Sequence, residues 1–109
     1  MVDLEEVDLE KQVEERMKSQ PVRVLKLKTG EELISRIGDD SLNHQHVMEQ
    51  PMVITVVMQN NQPALTMTPW IMSSSDTIFK INSDEILTKA KARGDMEKQY
   101  LSLITGLSL

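Results

Sequence analysis

The stretch "VRVLKLKTGEELISRI", Val22 to Ile37, decides the fold. Leu25 and Leu27 alternate with Lys26 and Lys28, the period of a half-buried strand. Thr29-Gly30 supplies the turn, because Gly30 can take a positive φ at low cost. "ELISRI" then returns as a second strand. Its far end runs into the polar loop "GDDSLN", Gly38 to Asn43, so the segment is either a plain hairpin or half of a binding site.

Toward the C-terminus the β pattern continues. "HQHVMEQ" is a short third strand before Pro51, and "MVITVVMQ" is the segment richest in β-branched residues. "NNQP" makes a turn, "ALTMTPWIM" comes back, and Pro69 marks a bulge or an edge position. "SSSD" is a loop. "TIFKIN" and "ILTKAKA" are two further strands around the tight corner "SDE", with Ile86, Thr88, Ala90 and Ala92 expected on one face. Gly94 breaks the pattern, Asp95 is placed to cap a final helix, Met96, Tyr100, Leu103, Ile104 and Leu107 recur at helical spacing, and Gly106 is expected to end the helix. Few short strands and a small core favour a bent antiparallel sheet or small barrel over a sandwich.

Toward the N-terminus, residues 1–20 read as an acidic arm, helical or partly ordered. Asp3 and Glu6 fit a capping box, and Val2 with Val7 fits a hydrophobic staple. Val2, Leu9, Val13 and Met17 fall on one helical face, which is narrow, and Pro21 ends the segment. This divides the chain into an arm, 1–20, and a domain, 21–109. The net charge of −5 belongs to the arm: residues 1–16 hold seven acids and two bases, whereas residues 17–109 hold ten of each. Bulk acidity therefore does not exclude nucleic acid as a partner, and the local pattern has to decide.

Composition narrows the chemistry. With no Cys there is no disulfide framework and no thiolate nucleophile or metal site. No apolar run approaches the ~20 residues of a membrane span, and an acidic N-terminus has the wrong sign for a signal or transit peptide; a cytoplasmic location is expected. Asp39 and Asp40 are adjacent carboxylates, but acid–base work needs surroundings that separate their pKa values, so a solvated turn is the better reading. On a strand, His44 and His46 would share a face, with Asp39 or Asp40 adding oxygen, which is a weak metal signal without a defined third ligand. No cofactor is expected. Lys26 and Lys28 share a face of the first strand, and Lys89, Lys91 and Arg93 share a face of the last. If those strands pair, the five cations form one patch suited to phosphates. Alternating Lys is equally how edge strands stay soluble, and three aromatic residues (Trp70, Phe79 and Tyr100) make a poor stacking platform.

Taken in order, "LKLKTGEELISRI", "VMEQPMVI", "TPWIM" and "IFKINSDEILTKAKA" with a closing helix resemble the Sm-like family, and in particular the small Sm-like proteins of marine cyanophages and ocean metagenomes, over about residues 22–107. The resemblance implies a strongly bent five-stranded antiparallel barrel and a non-enzymatic, homo-oligomeric ring. In that ring "TIFKIN" of one subunit would pair with "ILTKAKA" of the next. It also implies binding of single-stranded RNA or DNA by loops at the pore, in the host-cell cytoplasm if the chain is phage-encoded. Carried over by position, Asp39 and Asn43 take the family's acid and amide, and Leu42 replaces its Met. Ser41 stands where a base-stacking residue is common and cannot stack. Asn82 and Ser83 replace the Arg-Gly of the second motif after Ile81. The residues expected to bind nucleic acid are Asp39, Asn43, Lys80 and Asn82 near the pore loops, and Lys26, Lys28, Lys89, Lys91 and Arg93 as a basic face. The alternative is a structural or protein-interaction ring that does not bind nucleic acid.

Overall fold

The computed structural model describes Gln12 and residues 15–106. Expectations for the arm's capping box and staple, and for Val13 and Leu107, lie outside those residues. The arm's end is helical through Met17, whose side chain is buried. Gln20 then packs on Gly38, and the Pro21 carbonyl accepts the Ile37 N–H at 3.1 Å.

Six strands follow: β1 (Val22–Leu27), β2 (Glu32–Asp40), β3 (Gln45–Gln59), β4 (Gln62–Pro69), β5 (Ile78–Asn82) and β6 (Ile86–Lys91). A 3₁₀ turn, Ser83–Glu85, joins the last two, and helix α1 (Gly94–Thr105) closes the chain. All pairings are antiparallel, in the order β4-β3-β2-β1-β6, with β5 also on β3. Gly30 takes φ +97° in the first turn, as its sequence position implies. Asn60 and Asn61 both have positive φ in the two-residue turn between β3 and β4, the geometry that matches hairpin twist.

The strand count is six rather than five, because the lane beside β3 is filled by two pieces. β4 covers Met52 to Gln59, and β5 covers Gln45 to Glu49. Residues 70–77 leave the sheet between them. The two expected strands "HQHVMEQ" and "MVITVVMQ" are in turn one strand, β3, bent where it changes partner. The cause is a bulge: Ile34 pairs with Met52 but Arg36 pairs with Glu49, so Gln50 and Pro51 together oppose Ser35. Gln50 has φ +44° and Pro51 has no N–H to give the ladder. Backbone bonds from Gln50 N–H to the Thr77 carbonyl (2.6 Å) and from Trp70 N–H to the Pro51 carbonyl (2.9 Å) hold both flanks of the excursion. Among the described residues no ladder joins β5 to β6, so the sheet curls without closing.

Each face of the sheet has its own core. Inside the curl lie Leu25, Leu27, Leu33, Ile37, Met48 and Ile81, with Trp70, Phe79 and Ile86 against them. On the opposite face, Val22, Ile34 and Met67 pack under Met96 and Tyr100 of α1. Leu103 is 51% exposed and Leu101 packs in its place, a shift of the expected helical stripe. Asp95 is not the cap: Arg93 occupies that position, and Asp95 lies in the first turn, paired to Arg93 at 2.9 Å. Gly106 ends the helix with φ +71°. Ile86 turns into the curl while Ala92 packs under α1, because the β1–β6 register shifts between Lys26 and Leu27.

Tyr100 is the link between helix and bulge. Its hydroxyl donates to the Glu49 carbonyl and accepts the Arg36 N–H at 3.1 Å. Burial, the largest influence, pushes its pKa above the usual tyrosine range. Beside it, Arg36 and Glu49 form an ion pair at 2.8 Å with side chains only 17% and 10% exposed. Ser35 Oγ lies 2.9 Å from the Glu49 carbonyl. The bulge is thus re-satisfied by side chains from β2 and α1. No helix among the described residues is long and apolar enough to cross a membrane.

Candidate nucleic-acid interface

One end of the curled sheet gathers the two segments singled out in the sequence, although Gly38, Asp39 and Asp40, expected in a polar loop, continue β2 because they pair with Val47, His46 and Gln45. Register does this directly. Asp39 pairs with His46 and His46 with Ile81; Asp40 pairs with Gln45 and Gln45 with Asn82. The His44 carbonyl accepts the Ser83 N–H at 3.0 Å, which joins the β2–β3 loop to the 3₁₀ turn. The two segments therefore meet at one end of the sheet, but register divides them between its faces: Lys80 and Asn82 share a face with Asp40, which holds Asn43, whereas Asp39 lies on the other face with His46 and Ile81.

At that end, most polar groups are engaged with one another. Asn43 donates to Asp40 through its backbone N–H (3.3 Å) and its Nδ2 (2.9 Å). The Asn43 side chain holds the Asp40 carboxyl below the usual carboxylate range, with smaller help from its N–H and from Lys80. Gln45 Nε2 donates to Asn82 Oδ1 at 3.3 Å. Asp39 Oδ1 takes Lys89 Nζ at 3.3 Å and faces His46 Nε2 at 3.2 Å. His46 Nδ1 lies 2.9 Å from Ser83 Oγ, and His44 Nε2 lies 3.1 Å from Asp84. His46 thus stands between Ser83, which it hydrogen-bonds, and Asp39, which it faces; the Ser83 partner lies 37 positions away along the chain and is not suggested by the sequence. Leu42 projects into solvent, 96% exposed.

The two histidines do not share a strand face. His44 has φ +55° and precedes β3, and the two imidazoles bond to different carboxylates. No group of three or more His, Asp and Glu placed to hold a metal occurs among the described residues.

The five-cation patch is divided by register. β1 and β6 do pair, but Lys89 stands opposite Leu25 and Lys91 opposite Arg23, whereas Lys26 stands opposite Thr88. Directly opposed residues share a face, so Lys26 and Lys89 point to opposite sides of the sheet. Lys26 reaches Glu32 at 3.9 Å, and Arg93 is held by Asp95. Lys28 follows β1 in the turn, where its N–H bonds the Glu85 carbonyl at 2.9 Å. Arg23 joins Lys91 and was missed because its partner is visible only in the register.

Burial pushes the His46 pKa below the ordinary histidine value of 6.5, Lys89 adds to this, and Asp39 opposes it. His44 also faces it, and Ser83 bonds its other nitrogen. A histidine with a lowered folded pKa binds protons more weakly when folded. Its contribution to stability is present above the unfolded value and is lost as pH falls through about 6.5 toward the folded pKa. The melting temperature is therefore expected to drop between neutral and mildly acidic pH, and His46→Gln to flatten that drop. Thermal melts across this window check it; equal slopes in the two proteins would contradict it.

A bent antiparallel sheet with two motif loops at one end and a closing helix defines a small Sm-type β domain. The chain belongs to the Sm_like domain family, which matches residues 24–101. No curated protein matches it.

Proposed function

We propose that this chain is a non-enzymatic, ring-forming Sm-like protein that binds single-stranded RNA or DNA weakly, mainly through phosphates, at the loop cluster of residues 39–46 and 80–85. The observation that carries this reading is the joining of the two motif loops, with Asp39, Asn43, Lys80 and Asn82 brought to one end of the sheet. Ring assembly is supported by the edges: β5 pairs only with β3 and β6 only with β1 among the described residues, and unpaired edges favour intermolecular pairing. The proposed ring joins β5 of one subunit to β6 of the next. The landmarks shared with cyanophage Sm-like proteins favour a phage origin, a host-cytoplasmic location and a role in nucleic-acid processing.

A second reading, a structural or protein-interaction ring, is favoured by local charge. Asp39, Asp40, Asp84 and Glu85 outnumber Lys80 and Lys89 at the cluster, and Lys89 is already paired with Asp39. Native mass spectrometry followed by binding of labelled oligonucleotides across a salt series separates the two. The first reading expects a ring and a log–log salt slope steeper than about −0.7, the share of one neutralised phosphate on a single strand. Lys80→Gln should reduce the slope by about that amount. A ring with no binding at low salt leaves the second reading; a monomer overturns both.

A further inference from the structure

We propose that the β3–β4 hairpin is a surface on which two copies of this chain meet, each seating Met58 in a cleft of the other. Between Glu49 and Asp76 no residue is charged, in a chain where 27% of residues are. The hairpin takes up most of that stretch, and it projects. β2 accompanies β3 only as far as Ile54, opposite Glu32. Residues 55–59 therefore have β4 on one side and no strand on the other among the described residues. A two-stranded ribbon is marginal in water without a further surface to pack on.

Register identifies the face. Ile54 stands opposite Met67, Val56 opposite Leu65 and Met58 opposite Pro63, all on one side of the ribbon. Ile54 and Met67 belong to the core under α1. Nearer the tip the same stripe lies open, with Val56 65%, Met58 67% and Leu65 38% exposed. The other side of the ribbon is more polar, and there the Thr55 and Thr66 hydroxyls bond at 2.8 Å. At the base of the stripe is a cleft of about 480 Å³, lined by Lys26, Glu31, Glu32, Ile54, Val56 and Leu65 among others. Its charged rim already has partners within the chain: Lys26 reaches Glu32 at 3.9 Å, and Glu31 accepts Thr29 Oγ1 at 3.1 Å.

The occupant is a second copy, because one patch carries both halves of the contact. A two-fold interface needs a surface complementary to itself. Here the tip offers an exposed, flexible Met58, and the base offers an apolar cleft that a thioether can fill. Antiparallel apposition of two hairpins places each tip on the other's base. The amides of Gln59, Asn60, Asn61 and Gln62 then meet the charged rim, and no like charges oppose each other along the stripe. A charged partner finds no counter-charge there. The patch is separate from the β5 and β6 edges assigned to the ring, so this contact doubles whatever assembly those edges make and does not depend on it.

Native mass spectrometry and sedimentation of the full-length protein read the stoichiometry. The parent is expected to hold an even number of subunits. Met58→Glu is expected to halve the mass, because its carboxylate would be buried in an apolar cleft, and Val56→Glu to do the same. Met58→Leu, which keeps size and polarity, should keep the parental mass. Far-UV circular dichroism of all three should match the parent, since both side chains are exposed. The absence of Cys permits a second measurement. Under mild oxidation, Met58→Cys mixed with Leu65→Cys should give a mixed disulfide, whereas Ser73→Cys mixed with Leu65→Cys should not. An odd-numbered parent, equal masses for the parent and Met58→Glu, or equal cross-linking in both mixtures overturns the proposal. A parental dimer that becomes a monomer in Met58→Glu supports it and overturns the ring alone.

Discussion

Arg36→Met should destabilise the fold by about 3–5 kcal/mol, the loss expected when one partner of a buried ion pair is removed. The Glu49 side chain is 10% exposed and sits where β3 bends, so an uncompensated carboxylate there has little water to turn to. Equilibrium urea denaturation measures the effect as a lowered midpoint at constant slope. The pair is also separable from its shape. Replacing both residues, Arg36→Met with Glu49→Leu, should recover most of the loss, because apolar groups of similar volume often match or exceed a buried pair. A single variant within about 1 kcal/mol of the parent would show that water reaches the pair and that it behaves as a surface bridge.

Tyr100→Phe should cost about 1–3 kcal/mol, although it removes one atom from a fully buried ring. The ring's packing on Val22, Ile34, Met67 and Met96 is kept. What is lost is the hydroxyl that accepts the Arg36 N–H and donates to the Glu49 carbonyl. Ser35 Oγ still reaches that carbonyl, so the Arg36 amide is the group left without its partner. A drop of the melting temperature by roughly 4–8 °C per kcal/mol is expected for a domain near this size. Hydrogen exchange at the Arg36 amide should accelerate more than at Leu33 or Ile34 in the same strand. Uniform acceleration along β2 would place the role of Tyr100 in packing alone. Because Tyr100, Arg36 and Glu49 meet at one bulge, the two substitutions should not be additive when combined.

Both predictions concern residues that the sequence leaves anonymous. Tyr100 is legible there only as an apolar position of the last helix, and Arg36 and Glu49 as polar positions of strands. The bulge that unites them depends on where β2 and β3 align, and alignment is decided by contacts many residues apart. The same limit explains the basic face. Alternation puts Lys89 with Lys91 along β6, but Lys28 falls in the turn beyond β1, and alternation carries no information on which side of the joined sheet Lys26 and Lys89 fall. The β1–β6 register decides that, and it places Lys26 and Lys89 on opposite sides.

At the loop cluster the balance is similar. The resemblance to the Sm-like family, carried over onto Asp39, Leu42 and Asn43 and onto Ile81 and Asn82, marked two segments as one candidate site. It did not show that Lys89 closes on Asp39, that His46 lies between Asp39 and Ser83, or that His44 leaves the strand. The Lys89–Asp39 and Ser83–His46 pairings join residues 50 and 37 positions apart, which no local pattern encodes.

By itself, then, the sequence determined the antiparallel β character, the turn at Gly30 and the amphipathic closing helix. These follow from period, turn chemistry and composition, all of which act within a few residues. Only the tertiary structure decided that one lane of the sheet is shared by β4 and β5, that a bulge at Gln50-Pro51 bends β3 and is closed by Tyr100, and which charges meet. Register, curvature and burial are properties of the whole packed chain, set where distant segments compete for the same two small cores.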